Sequence, residues 1–76
     1  MDIETMNRQQ ICKMGENIRR LREIRGYTVE ELAKMVNMPV NTLRSLENGT
    51  PSKRCVVDYF LDICELFGVH PQTMFF

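Results

Sequence analysis

Along most of this chain apolar residues return every three or four positions, and turn-forming residues interrupt that rhythm at intervals. Met14, Ile18, Leu21 and Ile24 form one stripe, with Arg19, Arg20 and Glu23 off it, which predicts a helix from about Met14 that Gly26 ends. Thr28-Val29-Glu30-Glu31 reads as a capping box, because the Thr28 hydroxyl can accept from the Glu31 amide while the Glu31 carboxylate reaches back to the Thr28 N–H. A second helix is expected over about 29–36, with Leu32, Ala33 and Val36 inward. Asn37 stands where a left-handed residue would end it. Pro39 suits the first turn of a third helix, about 39–47, with Leu43 and Leu46 inward and Val40, Asn41, Arg44 and Ser45 outward. Asn48-Gly49 stops that helix.

After the polar loop 50–54, Ser52 is a candidate cap for a fourth helix, about 53–67. Its broad apolar face holds Val56, Val57, Phe60, Leu61, Ile63, Cys64 and Phe67. Gly68 ends it, and Pro71 opens a short final helix, about 71–75, with Val69, Met74 and Phe75 facing back. The expectation is an all-α fold of five short helices, without strands or internal repeats. Residues 1–12 are polar and are read as an arm or weak helix extension, and 13–76 as the domain.

Seventy-six residues hold one small domain. The mean hydropathy of −0.28 and the lack of a long apolar run speak against a membrane span. The N-terminal MDIETMNRQQ has acids and amides where an export leader needs basic and then apolar residues. With three cysteines (Cys12, Cys55, Cys64) and no C-x-x-C pair, free thiols in a cytoplasmic setting are expected. His70 is the only histidine, and the spacing of the thiols matches no zinc pattern, so neither metal nor cofactor is expected. No nucleophile–base pair or glycine-rich phosphate loop is present, which excludes the common enzyme constellations.

The net charge of zero conceals a division. Residues 13–54 carry nine cations against five carboxylates, whereas 55–76 carry only Asp58, Asp62 and Glu65. A basic middle with acidic flanks suits either one anion-facing surface or an ordinary solvated exterior.

Helices two and three are separated by a few residues around Asn37-Met38. Small Ala33 permits a steep helix approach, and Met38 can plug the corner. With GENIRRLREIRGYT, EELAKMV, TLRSLENG and LFGV in order, the stretch from Met14 to Phe75 resembles the Cro/cI-type (XRE) helix-turn-helix family of bacterial and phage regulators. The resemblance implies a five-helix, lambda-repressor-like domain whose third helix enters the major groove of duplex DNA. It implies a structural ion pair between Arg22 and Glu47. It places base reading on Val40, Asn41, Arg44 and Ser45, and phosphate contacts on Thr28, Val29, Asn48, Lys53 and Arg54, with Arg19 and Arg20 as further candidates. The side chains suit those tasks: Asn41 can bond adenine, Arg44 can fork onto guanine, and Val40 can pack on a thymine methyl. Val29 departs from the glutamine that members usually carry there.

One short reading helix covers few base pairs, so a homodimer on a palindrome is expected, with Val69, Met74, Phe75 and Phe76 as its candidate seam. The expected function is a sequence-specific transcriptional regulator, a repressor. The alternative is a protein-interaction module on the same fold, antitoxin-like or an adaptor. Its partner, a toxin or effector, would meet acidic helix four or the apolar C-terminus.

Overall fold

A computed structural model describes residues 7–50 and 53–75, the side chains of 53–57 excepted. Four α-helices follow one another: α1 (Arg8–Ile24), α2 (Val29–Met35), α3 (Val40–Glu47) and α4 (Lys53–Phe67). A 3-10 helix, Pro71–Phe75, comes last.

α1 starts six residues before the apolar stripe sharpens. Its cap is Asn7, whose Oδ1 accepts from the Gln10 amide at 2.8 Å, while the Asn7 N–H donates to Gln10 Oε1 at 3.0 Å. This reciprocal cap satisfies two amides that a helix start leaves unpaired. α2 begins on the expected box, with Glu31 N to Thr28 Oγ1 at 3.1 Å and Thr28 N to Glu31 Oε1 at 2.9 Å. Pro39 precedes α3 as its cap, with φ of −62°, rather than lying in its first turn.

The turn between α2 and α3 depends on Asn37, which adopts φ of 55°. In this left-handed state the Met38 amide donates to Ala33 O at 2.9 Å and the Asn37 amide to Lys34 O at 3.2 Å, closing the helix end and redirecting the chain. Met38 is thereby turned into the core, and Ala33 beside it is also buried.

The core gathers Met14 and Ile18 of α1, Leu32 and Ala33 of α2, Leu43 and Leu46 of α3, Phe60, Ile63, Cys64 and Phe67 of α4, and Met74. Asn17 is buried among them and donates from Nδ2 to Met74 O at 2.7 Å, which fixes the 3-10 segment onto α1. The Arg25 guanidinium does the same for the end of α4. It donates to Phe67 O at 2.9 Å and lies 5.3 Å from the Phe67 ring centroid.

Several expectations need correction. The fifth helix is a 3-10 turn, held by Thr73 N to His70 O at 3.0 Å and by the Thr73 hydroxyl to the same carbonyl at 2.7 Å. Ile24 and Leu61, placed inward by periodicity, are 71% and 59% exposed. Met74 is a core residue and so is removed from the proposed dimer seam; Val69 and Phe75 are half-buried against the core. The expectations for residues 1–6, the Ser52 cap, the Val56 and Val57 side chains and Phe76 lie outside the described residues.

Candidate nucleic-acid interface

α3 has two faces. Leu43 and Leu46 are fully buried, while Asn41, Arg44 and Asn48 are exposed on the opposite side. These three recur at i, i+3 and i+7, so they share one ridge.

Two contacts fix the ridge relative to α1. Arg22 forks onto Glu47, with Nε to Oε2 at 2.8 Å and Nη2 to Oε1 at 2.9 Å, while Nη1 donates to Tyr27 O at 2.9 Å. The Arg22 and Glu47 side chains are only 14% and 7% exposed. The hydrogen bond to Glu47 is the main reason the Arg22 guanidinium is held even more firmly protonated than usual. One arginine thus joins the end of α1, the loop before α2 and the end of α3. The second contact is backbone against backbone. A Cβ on Gly15 would stand 2.4 Å from Leu46 O and 2.9 Å from Glu47 O, so α1 can rest on the last turn of α3 only because residue 15 has no side chain.

The residues assigned to base reading occupy different settings. Asn41 is exposed. Val40 is half-buried and packs on the core, so only part of its side chain faces out. Ser45 is half-buried and donates its hydroxyl to Asn41 O at 3.1 Å. Arg44 is exposed, and its Nη2 bonds Glu30 Oε1 of α2 at 2.8 Å.

Among the residues assigned to phosphate, Asn48 is exposed at the end of α3. Thr28 has both its hydroxyl and its amide engaged with Glu31. The Val29 side chain is half-buried against the core. Lys53 and Arg54 begin α4, and their side chains lie outside the described residues. Arg19, Arg22, Val29, Arg44, Glu47 and Asn48 line a shallow cleft of about 230 Å³ where α1, α2 and α3 meet. Arg20 lines a different recess, to which α2 and α3 contribute no residue.

Sequence reasoning missed Glu30 and Gly15. Both act through contacts between elements that lie far apart in sequence, and no local pattern reports them.

Among the described residues no group of three His, Cys, Asp or Glu side chains could hold a metal ion. Burial pushes the Cys64 thiol up to about 11, which keeps it neutral and unreactive near pH 7. Among them also, no helix is long and apolar enough to cross a membrane.

A family model described as Helix-turn-helix matches residues 18–73, well over half of the chain. The match runs from the middle of α1 into the 3-10 segment. No curated protein and no solved structure matches the chain significantly.

Proposed function

The chain belongs to the Cro/cI-type helix-turn-helix family, and from that membership we propose that it is a sequence-specific DNA-binding regulator, acting as a repressor in the cytoplasm. Its family is a DNA-binding one and typically non-enzymatic. The observation that carries the reading is the ridge Asn41, Arg44 and Asn48, which stands in water while Leu43 and Leu46 anchor the same helix. A convex helix of this width fits the major groove.

In the proposed complex Asn41 bonds adenine N6 and N7, and Arg44 forks onto guanine O6 and N7. The exposed part of Val40 meets a thymine methyl, and Ser45 contributes through its hydroxyl oxygen. Asn48, Lys53, Arg54 and the Val29 amide hold the flanking phosphates, whereas the Thr28 amide is taken by Glu31. Eight residues of α3 span about 12 Å. Two copies of the domain therefore form the working unit, with reading helices about 34 Å apart.

Selection of bound sites from random duplexes tests this directly. A palindromic consensus with half-sites one helical turn apart is the expected result. A folded protein that enriches no sequence would overturn the proposal.

A second reading has its own support. The exposed side chains of Met35 and Leu61 lie on α2 and α4, and a groove lined by Met35, Val36, Asn37, Asp62, Glu65 and Leu66 runs between those helices. That surface suits a protein partner such as a toxin or effector. Size-exclusion runs with and without random duplex at low salt distinguish the two: co-elution favours DNA, and its absence favours the protein-binding module.

A further inference from the structure

The contact between Arg44 and Glu30 joins the centre of the reading ridge to the first turn of α2. Only one pair of atoms makes it, Nη2 to Oε1 at 2.8 Å. Both side chains remain about half exposed, at 53% and 61%. A pair so open to water is readily separated and contributes little to folding. Its geometry nonetheless matters for what Arg44 can reach.

A guanidinium has five N–H donors, and Glu30 engages one nitrogen, so a two-pronged edge remains for a base. Arginine is also among the side chains with the most rotamer freedom, and that freedom is lost when it binds. A carboxylate that already restricts the guanidinium reduces this loss. It also offsets the charge that would otherwise draw Arg44 to any phosphate, the contact that carries no sequence information.

Building on the reading of Arg44 as a base contact, we propose that Glu30 is a positioning residue that sets sequence selectivity. It holds Arg44 off the phosphates and orients it for one base pair, and it touches no base itself. Glu30 thus contributes to the ratio between specific and random binding rather than to affinity.

The test uses the full chain with the duplex recovered by selection, a copy changed only at the base pair assigned to Arg44, and a random duplex. Affinities are measured for the wild type, Glu30→Gln, Arg44→Ala and the double variant. Glu30→Gln keeps the shape and removes the charge. It is expected to tighten binding to random duplex by about threefold, as one carboxylate fewer faces the phosphates. Discrimination at the assigned base pair should fall by about fivefold or more, with other positions unchanged. The double variant should discriminate no worse than Arg44→Ala, because Glu30 acts through Arg44.

An equal gain on every duplex, with discrimination intact, would overturn the inference and leave Glu30 as a surface charge. If Arg44→Ala itself leaves base preference intact, the reading of Arg44 falls and the inference falls with it. If Arg44→Ala relaxes preference and Glu30→Gln does not, only the inference fails. The Thr28–Glu31 cap survives the change, so circular dichroism and melting should match the wild type; Glu30→Ala is a second variant with the same expected outcome.

Discussion

Gly15 determines how close two helices can come. Gly15→Ala introduces a methyl group within 2.4 Å of a backbone carbonyl, and neither helix backbone can step aside cheaply. A destabilisation of about 1–3 kcal/mol is expected, even though alanine favours helix more than glycine does. A thermal melt reads it as a fall of several degrees. Arg22→Ala strands the sheltered Glu47 carboxylate. With the Arg22 side chain 14% exposed, the loss should lie near the lower end of the range for broken buried pairs, about 3 kcal/mol, measured by urea unfolding. Cys64 supplies a pH dependence. Its thiol titrates near 11 in the fold against an ordinary 9, so the folded state favours the protonated form. That contribution is whole below pH 9 and is lost as pH rises toward 11. Urea midpoints of the wild type should therefore fall more steeply across that window than those of Cys64→Ala. Asn41 and Arg44 are legible as outward residues because helical periodicity alone separates them from Leu43 and Leu46. The partial burial of Val40 is not legible, since it depends on the core residues that other helices bring against it; the Ser45 hydroxyl bonds Asn41 O one turn back on its own helix.

Helix ends are the most readable elements. Thr28 with Glu31, Asn37 and Asn48-Gly49 each encode a local hydrogen-bond pattern that needs no partner elsewhere in the chain. The start of α1 escapes the periodicity because Asn7 and Gln10 precede the clear apolar stripe, although they form the same reciprocal cap. The final segment reads as an α-helix because an opening proline suits either helix type; only the i-to-i+3 bond from Thr73 to His70 decides it. Ile24 and Leu61 keep the apolar rhythm, but each lies where no neighbouring element covers it. Asn37 governs the bend between the paired helices. Asn37→Val places a β-branched residue at φ of 55° and should destabilise the domain by about 1–2 kcal/mol, whereas Asn37→Gly should be near neutral. Denaturant midpoints of the two variants, side by side, check that sign.

The described part of the molecule measures 31 Å along its longest axis, close to the ~34 Å that separates successive major-groove faces on one side of a duplex. In the proposed dimer, a domain of this length leaves room for one copy per helical turn of duplex. Charge is divided along the chain: cations concentrate in residues 13–54, and residues 55–76 are acidic. With zero net charge, attraction to DNA depends on a few local contacts rather than on the whole surface. Replacing Lys53 or Arg54 by alanine should weaken all duplexes alike and lower the slope of log affinity against log salt by ~1 for each phosphate left unneutralised. Anisotropy titrations at several salt concentrations measure it.

Since Gly15, Leu43, Leu46 and Glu47 seat α3 from behind, Asn41 and Arg44, the two exposed residues proposed to choose a target, are separate from those that make the chain fold. Codons 41 and 44 can drift through many amino acids while the scaffold stays intact. On the proposed reading, a lineage carrying this domain can thus acquire new addresses on a genome by single substitutions, without first passing through an unstable ancestor.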